Sequence, residues 1–432
     1  MNEKIDFQPT DEIEGETELT PPEIYLANLI EWAVDRHASD LFISDTQRSV
    51  LVAVRRLGSI EVVRHLARHY GHRLQGSLRV LAGADVGETI RPAEGRAVMD
   101  TPNGRTVDLR LSALPTLFGQ DVAVRLFDPV IGARAIDQLG FDDRELEIVR
   151  RLLGRSSGLI LLAGPVASGK SSTLYAMIDH LNDGTRKIHT LEDPIEHAIN
   201  GVMQTEVNLR AGMDFADLLA VVLRHSPNVI MIGEIRDART AATAVRAGAS
   251  GQLVLATIHA KSSAEAIDSM LHYGTHPKFL SGALLGVVNQ RLIRRLCKHC
   301  RQPAELHQPL SVPERLKTLM NGQQPTLYHA SGCEECFQDG YDSLTSMPEI
   351  MEMHPDLTHA INRGIPSNEL ETMAQEAGML TLAETAKLRA FTGVTTLQDV
   401  NQIVSDPELA SLASNIKPVE ENAADESSAS AR

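Results

Sequence analysis

The stretch GLILLAGPVASGKSSTLYAMIDHLN, residues 158–182, decides the fold. Its centre, GPVASGKS, fits the phosphate-loop pattern G-x-x-x-x-G-K-S, whose fixed positions are Gly164, Gly169, Lys170 and Ser171. The apolar run LILLA before the loop is typical of a buried strand, and SSTLYAMIDHL after it has the spacing of an amphipathic helix. A strand, a glycine-containing loop and a helix in this order predict a site for the phosphates of a nucleotide.

The loop residues have distinct expected roles. The backbone N–H groups at the helix start would surround the phosphates, Lys170 would reach the β and γ phosphates, and the Ser171 hydroxyl would hold Mg²⁺. ATP and Mg²⁺ are therefore the predicted ligands. The predicted nucleotide-binding residues are Gly164, Pro165, Val166, Ala167, Ser168, Gly169, Lys170, Ser171 and Ser172.

Three further predicted strands end in acidic or imidazole side chains. NVIMIG, residues 228–233, leads to Glu234, HTLEDPIEH carries Glu192 and Glu196, and QLVLATIHA carries His259. The carboxyl ends of parallel strands meet at the ligand-binding edge of such a sheet, so we expect these side chains beside the phosphates. Glu234 would act on Mg²⁺ or on water there. Whether Glu192 or Glu234 is the base stays open, and His259 is a candidate because acidic strand ends flank it.

The bulk composition limits the possible partners. The chain has 432 residues, 43% of them apolar, with a formal net charge of −16 and a pI near 5.5. This acidic balance argues against nucleic acid or an anionic membrane surface as a partner and favours proteins. No apolar run approaches the roughly 18 residues of a membrane span, and the first residues lack a basic and then apolar leader. We therefore expect a cytosolic chain.

The four cysteines form two C-x-x-C pairs, Cys297 with Cys300 and Cys333 with Cys336. In a reducing compartment this pattern favours a metal over disulfides, and four thiolates can close a tetrahedral Zn²⁺ site. The 32 residues between the pairs exceed the common spacing, so free buried thiols stay the alternative.

The part before the phosphate loop reads as a small α+β module. A helix with Ile24, Leu26, Ile30, Ala33 and Val34 on its apolar face is followed by the strand LVAVRRLG and a helical stretch near residues 62–82. Asn103-Gly104 lies between two alternating runs and predicts a tight hairpin. From Gly158 onwards strands and helices alternate, as in a parallel α/β sheet.

These patterns divide the chain into seven segments. They are an acidic disordered leader (1–20), an N-terminal α+β domain (21–130), a linker and first helix (131–155), an α/β nucleotide-binding core with the phosphate loop (156–290), a tetracysteine zinc-binding subdomain (291–345), a C-terminal helical region (346–410) and a disordered tail (411–432).

With these residues assembled, the chain resembles the motor ATPases of type II secretion and type IV pilus assembly. The resemblance covers residues 22–404 and includes four signatures in family order: the phosphate loop, LEDPIE (191–196), VIMIGEIRD (229–237) and LVLATIHA (253–260). It implies a PAS-like domain before the RecA-like P-loop domain, a homohexamer, and work at an inner-membrane platform protein from the cytoplasmic side. It also matches Arg96, Arg110 and Arg125 to the family's nucleotide-sensing arginines, with surface salt bridging as the alternative. The tetracysteine motif resembles the zinc insertion of the assembly branch.

The sequence departs from the family pattern at several positions. Ala167 replaces a usual glycine, Ser226-Pro227-Asn228 replaces Asp-Pro-Asp, Gln252 replaces a histidine, and residues 343–347 depart from a glycine- and arginine-bearing pattern. The chain begins close to the family's second N-terminal domain, so we expect recruitment to the membrane through another surface. Two alternative functions remain, a nucleic-acid translocase of RecA-like architecture and a non-hydrolysing assembly scaffold. Secretion, pilus and competence systems share all of these motifs.

Overall fold

The computed structural model describes Phe7, Ile13–Glu14 and residues 20–127, 134–306, 312–320, 322–404 and 416–418. It divides into two compact units, residues 1–133 and 134–432.

In its described residues, the first unit contains a seven-stranded sheet and two helices that pack on it. Its helices are Pro22–Asp35 and Arg68–Leu81. Its strands are β1 Ile13–Glu14, β2 Ala38–Asp45, β3 Val50–Arg56, β4 Ser59–Leu66, β5 Ala93–Asp100, β6 Thr106–Thr116 and β7 Gly119–Phe127. The sheet order is β1-β4-β3-β2-β7-β6-β5, and all neighbours are antiparallel except β1 and β4. Alternate residues of these strands form one core with the two helices, as the period-2 pattern of a half-buried sheet requires.

The predicted hairpin at Asn103-Gly104 is confirmed. It joins β5 to β6, and Gly104 has a φ of 83°, which favours glycine. The helical prediction for residues 62–82 is wrong over its first part, because 62–66 belong to β4. β4 follows a tight turn at Leu57-Gly58, and its β-branched residues Ile60, Val62 and Val63 favour a strand.

The prediction for the first helix is correct except at Ile24. Leu26, Ile30, Ala33 and Val34 are buried, whereas Ile24 is 41% exposed. The buried face is completed by Tyr25 and Leu29 instead, because these residues lie on the side of the helix that packs on the sheet.

Disorder was predicted for the leader (1–20) and the tail (411–432). Most of both segments lies outside the described residues, so this prediction also falls outside them. Within the leader, the ring of Phe7 packs against Tyr25 and Trp32, with centroids 5.2 and 5.8 Å away. Within the tail, Ile416–Pro418 pairs with a strand of the second unit.

The second unit contains the sheet predicted from Gly158 onwards. Its strands are β8 Gly158–Ala163, β9 Ile188–Glu192, β10 Met203–Glu206, β11 Val229–Ile232, β12 Leu253–Ile258, β13 Leu284–Leu296, β14 Gln302–Leu306, β15 Tyr328–His329, β16 Tyr341–Glu352 and β17 Ile416–Pro418. The main sheet has the order β10-β9-β11-β12-β8-β13-β16, and only β13 and β16 are antiparallel neighbours. The mixed α/β fold class with a parallel sheet is confirmed. β15, β14 and β17 form a small separate sheet.

Helices cover both faces of the main sheet. They are Asp143–Leu153, Lys170–Leu181, Phe215–Val222, Ala238–Ala249, Ser263–His272, Pro277–Ala283, Glu314–Leu319, Pro355–Asn362, Ser367–Glu376, Leu382–Phe391 and Leu397–Ile403. Lys170–Leu181 shares one core with Asp143–Leu153, and Ser263–His272 shares the core of the opposite face with Ala238–Ala249. The predicted boundaries at 290 and 345 fall inside β13 and β16, so these two strands continue from the main sheet towards the cysteines.

Across the described parts of the chain, every helix falls short of the length and apolar character needed to cross a bilayer.

Candidate active site

The phosphate loop turns sharply between β8 and the helix Lys170–Leu181. Gly164 has a φ of 145° and Gly169 a φ of 85°. A Cβ at Gly164 would meet the Ser168 hydroxyl at 2.5 Å and the Gln290 carbonyl at 2.6 Å, so no larger residue fits. The Ser168 hydroxyl closes the loop by donating to the Pro165 carbonyl at 2.9 Å.

Lys170 is the cation of this loop. Its Nζ donates to the carbonyls of Gly164 and Pro165, each at 2.8 Å. Burial lowers the pKa of Lys170, while the negative charge of Glu234 acts in the opposite direction. A half-buried ammonium at a helix N-terminus is an arrangement that favours binding of an anion.

Glu234 and His259 meet beside this loop, as the strand order predicts. β11 and β12 are adjacent, and His259 Nε2 lies 2.8 Å from Glu234 Oε1. His259 Nδ1 lies 3.3 Å from the carbonyl of Gly164. Arg236 contacts the other oxygen of Glu234 at 2.5 Å. The structure therefore brings the loop, the carboxylate and the imidazole into one cluster.

Glu192 lies in a different environment. Its side chain is buried, at 3% exposure, and its carboxylate accepts hydrogen bonds from Tyr175, from Thr190 at 2.5 Å and from Gln204 at 3.1 Å. Burial, followed by the hydrogen bond to Glu192, raises the pKa of Tyr175 well above its usual value. These three hydrogen bonds fix the Glu192 carboxylate relative to Tyr175, Thr190 and Gln204.

The remaining acidic residues of this segment follow Glu192 in a loop. Glu196 is half-buried, and its backbone N–H donates to the Tyr175 hydroxyl at 3.1 Å. Asp193 is exposed and lies 4.0 Å from Arg236, which connects this loop to Glu234.

Gln290, which was not predicted from the sequence as a site residue, lies on β13 next to the phosphate loop. It is 2% exposed, accepts from Thr173 Oγ1 at 2.9 Å and donates to the carbonyl of Ser168 at 2.9 Å. The available signal was a polar Asn-Gln pair inside the otherwise apolar run LLGVVNQRLI.

Arg96, Arg110 and Arg125 form a row within the first unit. Arg96 is the cross-strand partner of Arg110, and Arg110 is the partner of Arg125. Residues directly opposite on antiparallel strands have Cβ atoms about 5 Å apart, so the three side chains leave the sheet side by side on one face. Asp108 binds Arg96 at 2.5 Å and Asp40 lies 3.5 Å from Arg125.

The four cysteines come together at the end of β13. The sulfur atoms of Cys297, Cys300, Cys333 and Cys336 all lie within 4.8 Å of one another, and three of the pairs are 3.7 or 3.8 Å apart. Four sulfurs placed tetrahedrally at Zn–S bonds of about 2.3 Å would be about 3.8 Å apart. Backbone N–H groups of Gly332 and Gly340 also donate to the sulfurs of Cys300 and Cys336, at 3.3 and 3.1 Å. The donor set therefore fits a zinc ion.

Two of the family departures occupy unusual backbone positions. Ala167 has a φ of 61° and Ser226 a φ of 51°, both in the left-handed region where glycine is favoured. Residues 343–347 lie on β16, opposite residues 291–295 of β13. The backbone of Gln252 pairs with β8, its carbonyl accepting from Gly158 at 3.0 Å.

Known proteins share both the sequence and the fold of this chain. The family model described as Type II/IV secretion system protein matches residues 15–402. Type II secretion system protein E of Pseudomonas aeruginosa is 34% identical over 392 residues, which cover 90% of this chain and 77% of that protein. The type IV pilus assembly ATPase PilB of Thermus thermophilus is 34% identical over 380 residues, covering 87% of this chain and 42% of that protein.

Two solved structures show the same fold at lower identity. The Legionella pneumophila ATPase DotB superposes with a TM-score of 0.66 at 17% identity, covering 93% of this chain and 99% of that chain. The pilus retraction motor PilT with bound ADP gives a TM-score of 0.59 at 23% identity, covering 89% and 98%. The family predicted from the four signatures is confirmed by the sequence match. The chain belongs to the type II/IV secretion system protein family.

Proposed function

We propose that this chain is an ATP hydrolase, the motor subunit of a homohexamer that powers assembly of a type II secretion pseudopilus or a type IV pilus. Its relatives are named as type II secretion protein E and type IV pilus assembly ATPases, which supports this assignment. In this proposal it works on the cytoplasmic side of the inner membrane and contacts a membrane platform protein.

The cluster of Lys170, Glu234 and His259 is the observation that carries the proposal. A protein that only bound nucleotide would need the loop and Lys170, but not a carboxylate held in place beside them. Here the Glu234 side chain is 14% exposed and is held at both oxygens, by His259 at 2.8 Å and Arg236 at 2.5 Å. Such a fixed carboxylate is suited to orient a water molecule and accept its proton.

The proposed mechanism assigns each residue one task. Lys170 and the backbone N–H groups at the helix start bind the β and γ phosphates. Glu234 orients the attacking water, and His259 and Arg236 hold its carboxylate in position. The Ser171 hydroxyl and an acidic side chain would hold Mg²⁺, which supplies charge neutralisation on the phosphates. Glu192 is the less suitable base, because it is buried at 3% exposure among Tyr175, Thr190 and Gln204, whereas the charge of Glu234 acts on Lys170 of the phosphate loop.

We assign the arginine row of the first unit to sensing of the γ-phosphate. Three arginines stand opposite one another on neighbouring strands, with Asp108 and Asp40 as partners of the outer two, and this concentration of positive charge favours an anionic ligand such as a phosphate. Contact with the γ-phosphate would also stabilise transition-state charge. Binding and release of phosphate would then be coupled to movement of this domain.

The tetracysteine cluster is assigned to a structural zinc ion held by all four thiolates. Its fit to tetrahedral geometry supports this assignment, and all four positions are occupied by protein ligands, which leaves no open position for catalysis.

A phosphate-release assay with and without DNA tests the proposed function. We expect Mg²⁺-dependent release of phosphate from ATP by the wild-type chain, no stimulation by DNA, and no release by Lys170→Ala. Stimulation by DNA would favour the translocase, which the net charge of −16 argues against. Nucleotide binding without release would favour the scaffold.

A further inference from the structure

β13 carries two buried amide side chains at the point where it passes the phosphate loop. Asn289 is 0% and Gln290 2% exposed. Successive residues of a strand point to opposite faces of the sheet, so the side chains of Asn289 and Gln290 lie on opposite faces of the main sheet. A buried amide is costly unless it is hydrogen-bonded, and both side chains are bonded here to functional segments rather than to sheet neighbours.

Gln290 connects the two parts of the phosphate site. Its Oε1 accepts from Thr173 in the helix Lys170–Leu181, and its Nε2 donates to the carbonyl of Ser168 in the loop, both at 2.9 Å. A Cβ added at Gly169 would lie 2.7 Å from the same Nε2, so the amide lies directly against the loop backbone. Gln290 thereby fixes the loop relative to the helix whose N–H groups face the phosphates.

Asn289 holds the segment that follows His259. Its Nδ2 donates to the carbonyl of Lys261 at 3.0 Å, and its Oδ1 accepts from Arg291 at 3.0 Å. Arg291 donates to the same Lys261 carbonyl at 2.9 Å. Two donors from β13 therefore fix the backbone two residues after His259.

We propose that Gln290 and Asn289 are positioning residues that act on different steps of the reaction. Gln290 sets the geometry of the phosphate loop and acts on nucleotide affinity. Asn289 sets the position of His259, and through it Glu234, and acts on the chemical step. This inference rests on the proposed ATP hydrolysis, although its first half concerns binding alone.

The experiment compares Gln290→Leu and Asn289→Leu in the full chain. The dissociation constant for a fluorescent ATP analogue is measured by titration, and kcat is measured by phosphate release at saturating ATP. We expect Gln290→Leu to raise the dissociation constant about tenfold and to change kcat by less. We expect Asn289→Leu to leave the dissociation constant within about twofold and to lower kcat by about tenfold or more, because small misplacements of catalytic groups have large kinetic effects.

Gln75→Leu is the matched control, since Gln75 is also a buried amide, at 5% exposure, and bonds the Ile43 carbonyl in the other unit. This control variant should lower thermal stability and change neither the dissociation constant nor kcat.

If Gln290→Leu does not fold, Thr173→Val removes one of the two Gln290 hydrogen bonds and should still weaken nucleotide binding. Equal loss of activity in both β13 variants, with unchanged affinity and lower thermal stability, would overturn the proposal. A wild-type chain that binds the analogue without hydrolysis would refute the proposed function, and the affinity of Gln290→Leu would still decide the role of Gln290.

Discussion

Glu192 is the last residue of β9 and Glu234 follows the end of β11 by two residues, but the surroundings of these two carboxylates differ. Glu192 is saturated by hydroxyl and amide donors in the interior, whereas Glu234 faces His259 beside the phosphate loop. A carboxylate fixed by three neutral donors stabilises the fold, and one held beside a phosphate site can act on a water molecule. The environment separates two residues that the sequence pattern leaves equivalent.

The first prediction concerns Lys170→Ala and Glu234→Gln. Both should abolish turnover, with a loss of about 10²-fold or more for Glu234→Gln because the oriented water is lost. Nucleotide affinity should fall strongly only in Lys170→Ala, which removes a phosphate-binding charge. Phosphate release and titration with a fluorescent nucleotide measure the two effects. Normal turnover in Glu234→Gln would make Glu192 the better candidate for the base.

The second prediction concerns Ala167, whose φ of 61° is unfavourable for a residue with a side chain. Ala167→Gly removes this strain, although glycine also has more freedom in the unfolded chain. We expect a gain of up to about 1 kcal/mol in the free energy of unfolding, measured by urea denaturation. Val166→Gly is the control, because Val166 lies outside the left-handed region and should lose stability. A loss at Ala167→Gly equal to that of the control would show that the strain is absent.

At the scale of elements, the cysteines lie next to the ends of two strands, β13 and β16. Cys297 directly follows β13, and Cys336 precedes β16 by a short turn in which Gly340 donates to its sulfur at 3.1 Å. The third prediction is about one Zn²⁺ per chain, released on acidification because protons compete for the thiolates. Elemental analysis of protein purified without added metal measures it. A chain without zinc, whose four thiols titrate as free, would contradict the assignment.

The fourth prediction concerns the contact between the helices Asp143–Leu153 and Leu382–Phe391. Glu145 is buried there against Arg389, which also lies 3.6 Å from Asp142. Burial raises the pKa of Glu145 to about 7, although the charge of Arg389 opposes this shift. A carboxyl with a raised folded-state pKa contributes stability that is fully present below its unfolded pKa and is lost as the pH rises through the folded value.

The stability contribution of Glu145 should therefore fall by about 1–3 kcal/mol between pH 4.5 and pH 7. Glu145→Gln cannot titrate and should lack this component. Urea unfolding of both proteins at several pH values gives the difference, in which the other titrating groups cancel. A difference that does not change with pH would show that Arg389 keeps the carboxylate ionised throughout.

Elements with local signals could be predicted from the sequence, and contacts between distant residues could not. The phosphate loop, the β5–β6 hairpin and the helix before β8 can each be predicted from a few consecutive residues. Gln290 and Thr173 are 117 residues apart, so nothing local connects them. β4 was missed because its residues 62–66 continue directly into a helix, and the periodicity of the two elements overlaps.

At the scale of the whole molecule, the proposed motor needs the first unit to respond to the nucleotide bound by the second. The fifth prediction is that Arg110→Ala retains ATP binding, loses most hydrolysis and shows a smaller ATP-dependent compaction in small-angle scattering. The loss should be mainly kinetic, because Arg110 is half-buried on β6 and an arginine aimed at the transferring phosphoryl group contributes several kcal/mol to the barrier.

Trp32 offers a second measurement of the same response. It is the only tryptophan of the chain, and it contacts Phe7 and Arg36 within the first unit. Its fluorescence should change on addition of ATP if closure alters these surroundings. An Arg110→Ala protein that hydrolyses ATP and compacts normally would leave the arginine as a surface residue.

The continuity of β13 also has a practical consequence. The strand extends from the amide that holds the phosphate loop, Gln290, to the residue before Cys297, with a register shift between Arg295 and Leu296. At a rise of about 3.3 Å per residue, the seven residue steps from Gln290 to Cys297 span at most roughly 23 Å. Cobalt exchanged into the cysteine cluster would therefore be a paramagnetic reference point at a distance fixed by the covalent backbone. Relaxation of phosphorus nuclei in a bound nucleotide could then be converted into the distance between the phosphates and the metal, without any attached label.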